Sequence, residues 1–266
     1  LISTAPCGPP ERIERVIALT RTAADVSDGT HEQIIAIVAH ELRHPLMPIR
    51  NAAALLRQEA PDAATVLRAA EIIERQALAM HRLIGDLVDV SRTQFGALEL
   101  RRVRAPLTEL VECAIESAGP TATERGHTLL VSISPQPIYL NMDVLRLGQA
   151  LHNIISNASK YTDKQGHVHV RAQREGAEVV VVVSDTGIGI PPAELEKIFG
   201  LFVQSAQGAR VEPGLGLGLY LARHLIEAHD GTVTAASDGP GRGSVFTVRL
   251  PCEASDAETA GDPSPV

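Results

Sequence analysis

His40-Glu41-Leu42-Arg43-His44-Pro45 is the stretch on which the reading of this chain turns. Taken as H-E-x-x-H, it puts two imidazoles at i and i+4 on one helix face with a carboxylate between them. Zinc peptidases hold a metal and activate water with that arrangement. Taken as H-E-x-x-x-P, it puts one reactive histidine ahead of a proline that interrupts helical hydrogen bonding. The two readings demand different chemistry and different folds downstream, so the rest of the chain decides between them.

Outward from this stretch, Ile34, Ile35, Val38, Leu42, Leu46 and Ile49 recur at spacings that mix three and four, as a buried helix face requires. The run continues through Leu55 and Leu56 and breaks at Ala60-Pro61-Asp62, where Asp62 can cap a second helix. That helix carries Val66, Leu67, Ile72, Ile73, Leu78, Leu83, Ile84, Leu87 and Val88. Two such helices form an antiparallel hairpin with an apolar stripe left over. Pairing into a dimeric four-helix bundle would bury it, as would cover by the second domain. An entry helix is expected from Glu11, with Ile13, Val16, Ile17 and Leu19 on one side.

Composition narrows the function classes. The 266 residues have room for one large domain or two modest ones. A net charge of −8, 3% aromatics and no tryptophan argue against a nucleic-acid partner, which calls for cations and stacking rings. No apolar run approaches the roughly 18 residues that span a bilayer. The start, Leu1-Ile2-Ser3-Thr4-Ala5-Pro6, has neither the basic nor the long apolar region of a signal peptide. Beginning at Leu1, the chain is expected to be a piece of a parent that could carry a sensor and a membrane anchor. Cys7, Cys113 and Cys252 form no C-x-x-C pair, which fits a cytoplasmic location and no cysteine metal site.

Past Phe95-Gly96 the texture changes. Strands are expected at 98–100, 127–131, 167–170, 179–183, 231–234 and 244–248, with helices near 106–118, 142–160 and 216–229. These predict an α/β sandwich, one sheet with helices on one face, making the whole chain α+β. The expected divisions are an N-terminal segment and entry helix (1–29), the hairpin (30–95), the sandwich (96–251) and a disordered acidic tail or linker (252–266).

Three segments of the sandwich carry chemistry. In Asn153-Ile154-Ile155-Ser156-Asn157-Ala158-Ser159-Lys160-Tyr161-Thr162, two amides four apart project side by side, with Lys160 a turn further on. Neutral oxygen ligands and one cation suit a Mg-triphosphate, and by itself the segment serves equally as a polar helix face. The strand Val179 to Val183 runs into Ser184-Asp185-Thr186-Gly187-Ile188-Gly189. There a carboxylate can accept the exocyclic amine of an adenine, and two glycines admit a close ligand. Gly214-Leu215-Gly216-Leu217-Gly218 leads into a helix whose first N–H groups suit phosphate. Its G-x-G-x-G spacing, without the acidic residue of a dinucleotide fold, sets the Rossmann reading aside.

In this order the pieces resemble the sensor histidine kinases of two-component systems. His40-Glu41-Leu42-Arg43 with Pro45 looks like their H box, Asn153 to Thr162 like their N box, and Asp185 to Gly189 like their first glycine box. Phe199-Gly200-Leu201-Phe202 looks like the phenylalanine box and Gly214 to Gly218 like the second glycine box. The resemblance implies a homodimeric hairpin bearing the phosphoacceptor, then an ATP-binding domain of the GHKL superfamily. It implies ATP and Mg2+ bound through Asn153, Asn157, Lys160, Tyr161, Asp185, Gly187, Gly189, Gly214, Gly216 and Gly218, with Asn157 and Asn153 at the metal. It implies that His40 takes the phosphoryl group with Glu41 as helper, then passes it to an aspartate on a response regulator's receiver domain.

Within that superfamily, the topoisomerases and the heat-shock chaperone that hydrolyse ATP carry a glutamate base four residues before the Mg-binding asparagine. Here that position is Asn153, and an amide takes no proton from water. Pro45 and Pro48 leave the carbonyls of Glu41 and His44 without helical partners, and are expected to act as a docking hinge. Residues 190–213 are the expected ATP lid, with Lys197 or Arg210 in reach of the γ-phosphate and Phe199 and Phe202 as anchors. The family usually has threonine or asparagine where this chain has His44, so weaker phosphatase activity toward the regulator is expected. The peptidase reading lacks a third ligand, since no spacing ties His81 or His127 to the first pair.

Overall fold

The computed structural model describes residues 28–57, 62–94, 98–204, 208 and 215–253. The expected entry helix, Cys7 and residues 254–266 of the tail lie outside the described residues. The chain divides between Leu98 and Glu99 into two compact units.

The first unit is a pair of long helices, α1 (Asp28–Leu56) and α2 (Ala63–Gln94). Asp62 caps α2 as expected: its Oδ1 accepts the Thr65 N–H at 2.6 Å. Hydrogen bonds from Thr65 hold this carboxyl below the usual aspartate range. α1 continues as helix through both Pro45 and Pro48. Buried Ala52 and Ala69 supply small contacts within the hairpin, while Leu46, Leu55, Leu67, Leu78 and Ile84 stay exposed. Large apolar side chains open to water in that number are costly for a lone hairpin.

The second unit is built on a five-stranded sheet. Its strands are β2 (Thr128–Ile133), β4 (His167–Glu175), β5 (Glu178–Asp185), β6 (Thr232–Ala236) and β7 (Ser244–Pro251), in the order β2-β4-β5-β7-β6. Only β2 and β4 pair in parallel. A separate two-stranded ladder joins β1 (Val103–Pro106) to β3 (Tyr139–Met142). Helices α3 (Leu107–Glu124), α4 (Val144–Tyr161) and α5 (Gly218–Glu227) complete the sandwich.

Alternation explains which face is covered. Val168, Val170 and Ala172 of β4, Val179, Val181 and Val183 of β5, and Phe246, Val248 and Leu250 of β7 are buried together. They meet Leu147, Leu151, Ile154, Ile155, Leu221 and Leu225 from the helices. α3 and α4 approach closely because Gly148 has no side chain, and a Cβ there would stand 2.7 Å from Cys113 Sγ.

Two expectations need correction. Residues 98–100 form no strand; the strand lies at Val103–Pro106 and pairs with β3, for which the sequence carried no expectation. Leu98-Glu99-Leu100 alternates as a strand would, but a strand needs a partner. Val103–Pro106 has one, with Ala105 buried against Leu140 and Met142. β4 also runs on to Glu175, because the polar Arg171 and Gln173 alternate with buried Ala172 rather than ending the strand.

A buried histidine ties α5 to α4. His229 Nδ1 donates to Leu225 O at 2.7 Å, and its Nε2 accepts the Asp143 N–H at 3.0 Å, so the ring must be neutral. Burial pushes its pKa below the ordinary histidine value, with nearby Arg102 acting in the same direction and Asp143 and Asp230 against it. The unfolded chain therefore takes up this proton more readily than the folded one. The contribution is present in full above about pH 6.5 and is lost as pH falls toward the lowered folded value. Thermal melts between pH 8 and 5 should show stability falling on the acid side. A His229→Gln variant should show a shallower acid-side slope; an unchanged slope would remove His229 as the cause.

Candidate active site

α4 is amphipathic in a way that positions the first set of side chains. Leu147, Ala150, Leu151, Ile154, Ile155 and Ala158 bury one face, leaving Asn153, Ser156, Asn157 and Lys160 half-buried on the other. The Asn153 side-chain amide donates to Gly218 O at 3.1 Å, which ties α4 to the first residue of α5. Asn157 sits one turn further on along the same face. The Lys160 ammonium stands 5.2 Å from the centroid of the Tyr161 ring.

The end of α4 is clasped to the loop that follows β5. Tyr161 O accepts from Ile188 N at 3.0 Å. A Cβ on Gly187 would stand only 2.3 Å from that same carbonyl oxygen, so nothing larger than glycine fits. Gly189 has φ +69°, and a Cβ there would meet Gly239 O at 2.1 Å. Asp185, at the end of β5, has its Oδ1 filled by the N–H groups of Gly187 (2.8 Å) and Ser244 (3.2 Å). Its Oδ2 accepts the Ser244 hydroxyl. Burial raises the Asp185 pKa, and these three bonds pull it back down.

Two of the positive-φ glycines, Gly189 and Gly176, make a controlled comparison. At Gly176 (φ +65°) a Cβ would meet nothing within 4 Å, so alanine there carries only the backbone cost of about 1–2 kcal/mol. Gly189→Ala adds the clash with Gly239 O. We expect Gly189→Ala to lower the melting temperature by at least about twice as much as Gly176→Ala, and to weaken nucleotide binding as well. Equal melts for the two variants would count against the packing seen around Gly189.

The phenylalanine-containing segment and the second glycine segment also meet. The Cβ space of Gly216 is occupied by backbone, with Val203 O at 2.5 Å and Phe202 C at 2.9 Å. Phe199 is buried and stacks edge-on against Phe246 at 6.3 Å between centroids, as an anchor would. Gly208 packs against the Tyr161 ring, where a Cβ would stand 3.0 Å from the nearest ring carbon. Lys197 is exposed on a short 3-10 turn (Lys197–Phe199). Gly214 and Arg210 lie outside the described residues.

Sequence reasoning missed one wall of this site. The connection Ser237-Asp238-Gly239-Pro240-Gly241-Arg242-Gly243-Ser244, between β6 and β7, backs the whole Asp185–Ile190 loop. Gly241 N donates to Ile188 O (2.7 Å), Gly243 N to Gly187 O (3.0 Å), and Ile190 N to Ser237 Oγ (3.0 Å). A visible signal was there: three glycines and a proline are more than a hairpin turn requires.

The first unit holds the other chemistry. On α1, His40 Nδ1 and Glu41 Oε1 lie 3.3 Å apart, with 57% of the histidine side chain exposed and 11% of the glutamate. Neighbours in a helix do not face each other, yet this glutamate reaches around to the ring. His44 stacks obliquely on His40, ring centroids 4.5 Å apart.

Residues 30–96 match the His Kinase A (phospho-acceptor) domain, and residues 142–254 match the histidine kinase-, DNA gyrase B- and HSP90-like ATPase domain. This chain belongs to the histidine kinases. The kinase is 32% identical over 227 residues to the alginate biosynthesis sensor protein KinB of Pseudomonas aeruginosa, covering 84% of this chain and 37% of that protein. It is 31% identical over 225 residues to the sensor-like histidine kinase SenX3 of Mycobacterium tuberculosis, covering 84% of this chain and 54% of the relative. The kinase thus spans a third to a half of these curated relatives. Among solved structures it resembles full-length ShkA in complex with AMPPNP, with a TM-score of 0.60 and 28% identity, over 84% of this chain and 46% of that one. The mycobacterial sensor histidine kinase MprB matches with a TM-score of 0.52 and 28% identity, over 57% of this chain and all of that chain (100%). No described helix of the kinase is long and apolar enough to cross a membrane.

Proposed function

We propose that this chain binds MgATP between α4, the Asp185–Ile190 loop and the start of α5, and that the γ-phosphoryl group passes to Nε2 of His40, on the same chain or on its partner in a dimer. The observation that carries this reading is the pairing of His40 Nδ1 with Glu41. A carboxylate that accepts a hydrogen bond from Nδ1–H fixes the tautomer and leaves the Nε2 lone pair as the nucleophile. In the transfer the Nε2–P bond forms as the bond from the γ-phosphorus to the ADP oxygen breaks, and positive charge developing on the ring is relieved through Nδ1–H toward Glu41.

The ATP side fits the same reading. Asp185 offers a half-buried carboxylate to the adenine amine, and the glycines at 187 and 189 let its loop lie directly against Tyr161 and Gly239. The amide oxygens of Asn153 and Asn157 are hard, neutral donors suited to a Mg2+ that arrives with the triphosphate and keeps most of its waters. No carboxylate base stands at Asn153, so hydrolysis loses to transfer onto histidine. The phosphohistidine then serves an aspartate on the receiver domain of a response regulator. The exposed apolar side chains Leu46, Leu55, Leu67, Leu78 and Ile84 support a homodimer through the hairpin. With His44 in place of a small hydroxyl or amide residue, dephosphorylation of the regulator is expected to be weak.

Incubation with γ-labelled ATP and Mg2+ tests the proposal. The expected result is label retained on the protein, labile in acid and stable in alkali. Release of free phosphate with no protein-bound label would replace it with a hydrolase.

A further inference from the structure

The second histidine of the opening stretch has no part in the transfer chemistry, yet the fold places it against the first. His40, Glu41 and His44 each present one ligand atom, and these three atoms all lie within 4.8 Å of one another. We propose that they form a divalent transition-metal site which, when filled, blocks phosphorylation of His40. The blocking half of this inference rests on His40 being the phosphoacceptor; the metal site itself does not.

The chemistry of the donor set favours a borderline metal. Two imidazoles and a carboxylate, with the fourth position left to water, are a common ligand set for zinc. A tetrahedral ion with bonds of about 2.0–2.1 Å needs its donors roughly 3.3 Å apart. His40 and Glu41 already stand at 3.3 Å, and the exposed His40 and His44 rings need only side-chain rotation on a rigid helix to close the rest. Here Glu41 is a ligand rather than the water-activating base of a peptidase, because its carboxylate is turned onto the His40 ring instead of away from it. The three groups lie within five consecutive residues of one helix, so no second element has to move and little ordering entropy is lost.

The consequence for the reaction is direct. With the Nδ1 lone pair given to the metal, the neutral ring carries its proton on Nε2, which then has no lone pair for phosphorus. Metal binding also takes Glu41 from its role beside Nδ1. Phosphorylated His40, in turn, should bind the metal less well, since the two events are linked through one ring.

The probe is Zn2+ at buffered free concentrations, with untagged protein and its His44→Thr variant, in which Cys113 and Cys252 are unchanged. Binding is measured by competition with a chromophoric chelator. Autophosphorylation is measured with and without zinc, each protein normalised to its own zinc-free rate. The expected result is one zinc per chain in the parent, binding at least about tenfold weaker in His44→Thr. Inhibition should follow occupancy in the parent, be relieved by EDTA, and be absent in the variant over the same range. Equal affinity in the two proteins, or full activity in the parent at concentrations that fill the site, would overturn the proposal. Label found on a residue other than His40, with His44-dependent zinc binding intact, would refute the acceptor assignment and leave the metal site standing.

Discussion

Replacing His40 with alanine is expected to remove protein-bound label by at least about a thousandfold while leaving ATP binding unchanged. The magnitude follows from chemistry rather than packing. The imidazole is the group that forms the new bond, and no neighbouring side chain offers the same nucleophile at the same point on α1, except His44 one turn on. The effect on the fold should be small, since more than half of the His40 side chain faces solvent. Label measured after acid and alkali treatment, with nucleotide affinity measured in parallel, separates the two contributions. A variant that still takes up label points to His44 as acceptor, and the double variant His40→Ala, His44→Ala decides between them. Glu41→Gln should be milder, about a hundredfold, because it removes the charge at Nδ1 and leaves the nucleophile.

The second large effect is expected at Asp185. Its carboxylate is held by two backbone N–H groups and one hydroxyl; Asp185→Asn can keep the two amide bonds with its oxygen, while the Ser244 hydroxyl has to turn and accept from the new N–H₂. What the variant loses is an acceptor facing the ligand, and what it gains is an N–H₂ set against the N–H₂ of adenine. A hydrogen bond to a charged group contributes about 1.5–3 kcal/mol, so ATP should bind roughly 10–150-fold more weakly with melting temperature nearly unchanged. Guanine carries an acceptor where adenine carries the amine, so the ratio of GTP to ATP affinity should rise in the same variant. Calorimetric titration of both nucleotides checks this. Unchanged ATP affinity would remove Asp185 from the base-recognition site.

Much of the architecture was legible because it depends on patterns local to the chain. The three-and-four spacing around Val38, Leu42 and Leu46 and the Asp62 cap describe the hairpin, and Val179 to Val183 describes a central strand. The cap and the strand are enforced by a backbone N–H that needs an acceptor and by burial, while the helix spacing shows as a periodic apolar pattern even where Leu46 stays exposed. What was not legible depends on partners far away in sequence. Val103–Pro106 is a strand because Tyr139–Met142 lies beside it. Residues 98–100, with better alternation, have no such partner among the described residues. In the same way Ser244 fills an acceptor on Asp185, 59 residues away in the chain, which neither segment announces.

The site divides along the same line. Residue types and their order sufficed to propose the donors: two amides four apart on a helix, an aspartate at a strand end, and a histidine ahead of a proline. Their condition was decided by tertiary structure. Only packing shows that Asn153 has given its N–H₂ to Gly218, that Gly187 is pressed onto Tyr161, and that Gly216 makes room for backbone. At His40-Glu41-Leu42-Arg43-His44-Pro45 the letters alone allowed two chemistries. The downstream segments chose the kinase, because nucleotide binding requires an ordered set of donors that no peptidase would use. Whether the two rings and the carboxylate also converge could not be read from spacing, since residues at i and i+1 do not ordinarily meet on a helix. The side-chain turn of Glu41 decided it.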